Sequence, residues 1–187
     1  MIRSIKIFIF LNFLIFNNDT FAQETTEDDS PKLKKETKIS EVIQTDSLPA
    51  SELLKRAVNW VKLESARYGK TNGISSGSKA ECTVTFHVKP KELNPVCDYE
   101  GKAIMKIMIE CKANKYRYTI LNIKHLSNSG RASAGSVDNI IPECGSLIMP
   151  DIVWKKLKGD ALAKAASLVN EIKEGMKIKS DAGNNEW

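Results

Sequence analysis

The stretch that decides the fold is Gly101 to His125, which reads GKAIMKIMIECKANKYRYTILNIKH. Two runs of β-forming residues with alternating apolar and polar side chains lie on either side of a short polar break, Lys112 to Lys115. Alternation puts Cys111 on the apolar face of the first strand and Tyr116 and Tyr118 on the apolar face of the second. The pattern predicts a β-hairpin.

A single register of this hairpin satisfies both strands. A turn on Ala113 and Asn114 brings apolar residues opposite apolar ones and opposite charges together on the other face. The predicted pairs are Cys111 with Tyr116, Ile109 with Tyr118, Ile107 with Ile120, and Glu110 with Arg117. A slip of one residue would move Lys106 and Glu110 into the apolar layer, which fixes the register.

The segments on either side of the hairpin also carry clear periodicities. Alternation predicts strands over Ile39 to Thr45 and Ala80 to Lys89. Helical spacing predicts a helix over Ala50 to Tyr68, with Ser47 as a possible cap, Gly69 as its end and Arg56 among the side chains facing solvent. A second helical stripe, which includes Trp154, predicts a helix over residues 151–176.

The order strand, helix, strands, hairpin, helix predicts one α+β domain over residues 38–176, with an antiparallel sheet and its helices on one face. The stretch from Lys70 to Lys79 is polar and contains glycine, and it is expected to be a loop around one short strand. Residues 126–150 form a second long loop, either functional or mobile. A flexible tail is expected over residues 177–187.

The N-terminal residues 1–22 have the pattern of a cleavable signal peptide. Arg3 and Lys6 are basic, Ile7 to Phe16 is almost wholly apolar, and small residues end at Ala22, after which cleavage is expected. The apolar core is too short for a membrane span, and no other run approaches the roughly 18 apolar residues of a transmembrane helix, so no span is expected after cleavage. The mature protein is expected to be periplasmic or secreted. Residues 23–37 contain few large apolar side chains and are expected to be a disordered linker.

The four cysteines bear on the redox state of an exported protein. One or two disulfides are plausible in an oxidising compartment, and Cys97 with Cys144 is the favoured pair because both lie in predicted loops. Cys82 and Cys111 lie on apolar strand faces and are either core residues or a second bridge. None of the spacings resembles a structural zinc site, so neither a metal nor another cofactor is expected.

The net charge and the polar residues of the strands limit the possible functions. The formal net charge of +5 is spread along the chain without a concentrated basic stripe, so nucleic acid is not an expected partner. His87 and His125 are expected to be exposed strand residues, although a shared patch could bind a metal or move protons. Tyr116 and Tyr118 are expected in the core rather than on a recognition surface, with Arg117 paired to Glu110.

Parts of the chain resemble a known family. The run EVIQTDSLPASELLKRAVNWV, a glycine-containing loop, an alternating strand and IECKANKYRYTILNIKH together resemble a family of exported bacterial domains of unknown function with a TATA-binding-protein-like (TBP-like) fold. The match rests on the strand ending at Ile43, the helix from Glu52 to Trp60, and Lys115 to Tyr118. It covers residues 38–125, with the last helix as a continuation. The four cysteines and loop 126–150 depart from the family pattern.

The resemblance implies a curved antiparallel sheet packed against helices, and it implies no activity. A fold name does not give a function, which depends on the site. The chain carries no recognisable catalytic motif, so the expected function is a non-enzymatic module that binds a protein, peptide or envelope ligand through a surface including His87, Arg117 and His125. The alternative is an envelope hydrolase with a site near His87 and His125.

Overall fold

The computed structural model describes residues 36–90 and 99–178 of the chain. Within them the elements are β1 (Ile39–Gln44), α1 (Ala50–Lys62), β2 (Gly69–Ser76), β3 (Lys79–Val88), β4 (Gly101–Lys112), β5 (Lys115–Ser127), β6 (Gly135–Ser136) and α2 (Asp151–Lys177). The strands form one antiparallel sheet in the order β1-β5-β4-β3-β2, with β6 paired to β5 beyond β1. The predicted α+β class and antiparallel sheet are confirmed.

The hairpin of β4 and β5 has the predicted register. All four predicted cross-strand pairs are present, and the strands close on the pair Lys112 and Lys115. Asn114 in the turn has a φ of 61°, a left-handed conformation that asparagine tolerates. Tyr116 and Tyr118 are buried and Arg117 pairs with Glu110, as predicted.

A β-bulge in β5 changes which side chains of that strand face the core. The register shifts between Ile104 and Lys106 of β4, where Asn122 of β5 has a φ of 55°. An extra residue in one strand reverses the alternation beyond it. Even-numbered residues such as Ile120 face the core before the bulge, and Ile123 and His125 face it afterwards.

Both helices pack on the same side of the sheet as the buried strand residues. The predicted stripe of α2 is buried against the sheet; it comprises Trp154, Leu157, Ala161, Ala165, Leu168 and Ile172. Against prediction, α1 ends at Lys62 rather than at Tyr68. Leu63 is already extended, with φ −66° and ψ 125°, and the ammonium group of Lys70 binds the carbonyl groups of Trp60 and Leu63 at this end. The predicted Ser47 cap is also wrong, since Pro49 stands at the N-cap position and no side chain caps the helix.

The long loop 126–150 packs onto the domain. It contains β6, and Ala132, Ala134, Val137 and Met149 are buried. The indole nitrogen of Trp154 in α2 donates a hydrogen bond of 3.1 Å to the carbonyl of Asn139. The loop is therefore part of the packed structure. Thr37, which the sequence assigns to the linker, also donates to the Asp138 carboxylate, at 2.9 Å from its backbone nitrogen.

Several predictions fall on residues outside the described ranges. These are the signal peptide with its cleavage after Ala22, most of the linker, Cys97, and the tail from residue 179 onward. None of the helices in the described part of the chain is long and apolar enough to cross a membrane.

Candidate binding surface

The candidate site is the face of the sheet opposite the helices, called here the open face. It is formed by the side chains of β1, β3, β4 and β5 that alternate with the buried ones. Its cationic side chains in these strands are Lys79, Lys102, Lys106, Lys112, Lys115, Arg117 and Lys124. Glu81 and Glu110 are the carboxylates of the same strands and face, so the open face is strongly basic.

Ion pairs neutralise only part of this charge. Glu81 lies 3.0 Å from the Lys79 ammonium and 3.3 Å from that of Lys106. Glu110 lies 2.6 Å from the Arg117 guanidinium. The hydrogen bond from Lys79 lowers the pKa of Glu81 although partial burial opposes it, so this carboxyl stays ionised. Among the residues that the structure describes, Lys102, Lys112, Lys115 and Lys124 have no carboxylate partner within ion-pair distance.

The hairpin end concentrates the unpaired charge. Lys112 and Lys115 are exposed and directly opposite each other, and like charges in that position destabilise a strand pair. A cleft of about 250 Å³ lies beside them, lined by these two lysines, Val42, Glu110, Tyr116 and Arg117. A bound anionic group would relieve the repulsion between the two lysines.

The open face also has apolar area between its charges. Val42 is 51% exposed, and Ile104, Met108 and Leu121 of the central strands are partly exposed. No phenylalanine, tyrosine or tryptophan of the described strands points to this face. In the described strands this face therefore combines cationic with aliphatic side chains.

His87 lies at the end of β3, exposed to solvent. Its Nε2 is 2.9 Å from the Glu100 carboxylate, which also binds Lys89 at 2.9 Å. A cleft of about 640 Å³ lies between this end of β3 and α2, and its lining includes His87 and Ser167. No hydrogen bond joins the Ser167 hydroxyl to His87 in the described structure, so the two do not form an activated nucleophile.

His125 was expected to be exposed, and this prediction is wrong. Its side chain is only 2% exposed, because the bulge at Asn122 turns it toward the helices. Its Nδ1 accepts a hydrogen bond of 3.4 Å from the Ala134 backbone. His125 therefore cannot belong to an interaction surface, and the hydrolase site that would join it to His87 is not assembled, since the two imidazoles lie on opposite faces of the sheet.

The buried imidazole predicts a pH dependence of stability. Burial lowers the pKa of His125 below its ordinary value of 6.5, and a hydrogen bond with the Tyr99 backbone opposes this only in part. The unfolded chain then binds a proton at this imidazole more readily than the folded chain does. The neutral imidazole therefore makes its full contribution to stability above pH 6.5, and this contribution is lost as the pH falls below that value. The free energy of unfolding, measured in urea, should decrease from pH 7 to pH 5.

A substitution at the buried histidine tests the origin of this pH dependence. His125→Gln should flatten the fall in stability between pH 7 and pH 5. Proton NMR of the wild-type protein gives a second readout, in which the His125 ring should titrate below its ordinary pKa. Titration of His125 at or above 6.5 would contradict the prediction.

The cysteines in the described residues are not bridged to each other. Cys82 and Cys111 are buried thiols of the core, and burial raises the pKa of each to about 11. Of the two predicted roles for this pair, the structure has them as small core residues. Cys144 is half-buried in loop 126–150, and its predicted partner Cys97 is outside the described residues, so that disulfide stays a prediction. No group of three potential metal ligands occurs in the described residues.

Sequence reasoning missed the unpaired cations of the open face. Lys112 and Lys115 were interpreted only as a polar break between strands. The alternation that placed Cys111 and Tyr116 in the core also places these two lysines together on the opposite face. Following both faces of the hairpin would have shown the charge cluster, whereas the contribution of Lys79 and Lys106 depends on the pairing of β3 with β4.

The chain has the TBP-like α+β fold that its sequence resembles. Solved structures with this fold include a TBP-like protein from Parabacteroides distasonis, which matches with a TM-score of 0.55 and 12% sequence identity over 78% of this chain and 95% of the other. A DUF4468 family protein from Bacteroides ovatus matches with a TM-score of 0.54 and 6% identity over 82% of this chain and 93% of the other.

At these identities the likeness shows the fold alone. No family model matches the chain, and no curated protein matches it. The function must therefore be argued from the surface of this chain.

Proposed function

We propose that this chain is a non-enzymatic binding module of the cell envelope whose open face binds an acidic segment of a partner protein. The observation that carries the proposal is the charge of that face, where Lys102, Lys112, Lys115 and Lys124 lack carboxylate partners among the described residues. Export to the envelope rests on the pattern of residues 1–22.

Charge and shape support an extended acidic ligand. Coulomb attraction from a row of cations speeds encounter with an acidic segment and selects against basic ones. Val42, Met108 and Leu121 offer apolar contacts between the charges, which a polypeptide with alternating acidic and aliphatic residues would use. The cleft beside Lys112 and Lys115 accepts one carboxylate side chain at the end of such a segment.

Charge reversal at the hairpin end tests this proposal. A fluorescent peptide built from repeats of Glu-Leu-Glu-Ser is the probe, and fluorescence anisotropy measures its binding. The double variant Lys112→Glu, Lys115→Glu should weaken binding roughly tenfold or more, because two attractive charges become repulsive. Binding by the wild type should also weaken as the salt concentration rises.

A matched variant separates this site from a general effect of net charge. Lys55→Glu, Lys62→Glu changes two exposed lysines of α1, on the other side of the domain, and should leave binding of the peptide nearly unchanged. Equal losses in the two double variants would contradict the proposal. Equal affinity for a peptide with Gln in place of Glu, or tighter binding of single-stranded DNA, would also overturn it.

A further inference from the structure

The outer edge of β1 is a second part of the sheet whose polar groups, here those of the backbone, lack partners in the described structure. β1 stands at one end of the strand order, and β5 is its only strand partner among the described residues. Its six residues pair with β5 without a register shift and contain no proline. A regular free edge of this kind is a template for another strand.

The opposite edge of the sheet is strand β2, whose irregular backbone hinders pairing with another strand. β2 has a register shift between Thr71 and Ile74, and Asn72 has a φ of 54°. A bulge twists an edge strand and interrupts the row of backbone groups that a new strand would need. β1 has no such device in the described structure.

The hydrogen bonds of β1 show which of its backbone groups point outward. The backbone N–H of Thr45 donates to the Asn114 carbonyl at 2.8 Å, which turns Thr45 toward the β5 side. In an antiparallel ladder, successive residues bond alternately to the two sides. The N–H and C=O groups of Ser40, Val42 and Gln44 therefore point away from β5, toward the free edge.

We infer that β1 pairs antiparallel with β1 of a second copy of this chain, with the two Val42 residues facing each other across a two-fold axis. In this register Val42 bonds to Val42 of the second copy, and Ser40 pairs with Gln44 of the second copy in both directions. Every pair joins outward-pointing backbone groups, and the interface is self-complementary, as a two-fold dimer requires.

Charge selects this register over its neighbours. Lys38 and Asp46 lie on either side of β1, are exposed, and have no ion-pair partner among the described residues. The Val42 register brings each Lys38 opposite Asp46 of the second copy, which forms two ion pairs. A two-fold axis at Glu41 would instead set the two Glu41 carboxylates against each other, and an axis at Ile43 would separate Lys38 from Asp46.

Glu41 does not oppose the paired arrangement. Its carboxylate is held on the helix side by the Tyr118 hydroxyl at 2.5 Å and the Lys173 ammonium at 2.8 Å. Val42, which is 51% exposed in the single chain, gains an apolar partner across the axis. The dimer continues the sheet and joins the two open faces into one surface.

Sedimentation velocity and light scattering of the purified protein test the inference. The wild type should have twice the mass of one chain and dissociate on dilution. Lys38→Glu alone and Asp46→Lys alone should each raise the dimer dissociation constant about tenfold, because two attractive pairs become repulsive in each case. The double variant Lys38→Glu, Asp46→Lys should restore it to within about threefold of the wild type.

A backbone variant and a control on the far edge complete the test. Val42→Pro removes an N–H that points outward and has no hydrogen-bond partner among the described residues, so it should abolish the dimer while circular dichroism shows the sheet retained. Ile74→Lys on β2 should leave the dimer unchanged. A monomer at all concentrations, a dimer indifferent to Val42→Pro, or single-variant losses that the double variant does not restore would each overturn the inference.

Discussion

Replacing Trp154 with alanine is expected to lower the free energy of unfolding by about 3–5 kcal/mol. The side chain is 1% exposed and lies in the buried stripe of α2. Its removal leaves a large cavity between the helix and the sheet, which the surroundings can fill only in part. The expected loss is large relative to the roughly 5–15 kcal/mol by which a domain is stable.

Trp154 also connects α2 to the long loop. The indole nitrogen binds the Asn139 carbonyl at 3.1 Å, and the Lys158 ammonium binds the same carbonyl and lies 4.7 Å from the centre of the indole ring. In Trp154→Ala the loop loses this anchor. Compared with the wild type, amide hydrogen exchange in this variant should therefore speed up more in residues 132–143 than in the hairpin.

Urea unfolding followed by circular dichroism measures the effect of Trp154→Ala. Ile152→Ala is the matched control, because Ile152 belongs to the same first turns of α2 and is 75% exposed. Its substitution should change the free energy of unfolding by less than about 0.5 kcal/mol. A loss below about 1 kcal/mol in Trp154→Ala would show that the loop and helix do not depend on this side chain.

The hairpin could be predicted from the sequence because its determinants are local. The alternation through Ile107, Ile109 and Cys111 and the polar turn at Asn114 agree on one register. A slip of one residue would have buried Lys106 and Glu110. The stripe of α2 was predictable for the same reason, since a helical period repeated over residues 151–176 has one apolar face.

The burial of His125 could not be predicted because it depends on one inserted residue. The apolar positions of β5 change phase after Ile120, since polar Asn122 stands where the alternation requires an apolar residue and Ile123 is apolar instead, but such a change is compatible with either a bulge or the end of a strand. In the folded chain the bulge lets both Ile120 and Ile123 be buried. One residue of shift then moved the histidine from solvent to the core.

The open face and the β1 edge could be recognised only from the structure, and each depends on a different aspect of it. Individual lysines are evident in the sequence, but their joint excess over Glu81 and Glu110 depends on the order of the strands. The direction of the Val42 backbone groups follows from the pairing of β1 with β5, as the hydrogen bond from Thr45 to Asn114 shows. Both features are relations between elements, which explains why the fold was predicted more completely than the candidate site.

The second large effect is expected for Arg56, which the sequence had placed in solvent. The guanidinium is 6% exposed and lies between the two helices. Its Nε donates to the Glu52 carboxylate at 2.9 Å, and its Nη1 donates to the Met176 carbonyl at 3.1 Å near the end of α2. A cation at this position satisfies carbonyl groups that a helix C-terminus leaves open and interacts favourably with the helix dipole.

The placement of Arg56 could not follow from its own helix. Helical spacing alone assigns a charged residue next to Ala57 to the edge of the polar face. The groups that bury it come from the end of α2, 120 residues away in the chain. Once α2 covers this side of α1, the guanidinium is stable there only because both Glu52 and the helix carbonyls bind it.

Arg56→Met is therefore expected to lower the free energy of unfolding by about 2–3 kcal/mol. Methionine keeps much of the apolar volume, so most of the loss comes from the hydrogen bonds that the guanidinium donates to the Met176 carbonyl and the Glu52 carboxylate. Arg56→Lys should recover only part of it, because an ammonium group cannot reach both acceptors with the fixed geometry of a guanidinium.

Lys55→Met, at the exposed neighbouring position, should change stability by less than about 0.5 kcal/mol. Equal stability of Arg56→Met and the wild type in urea would mean that this buried cation contributes no net stabilisation, and that its bonds to α2 only offset the penalty of its desolvation.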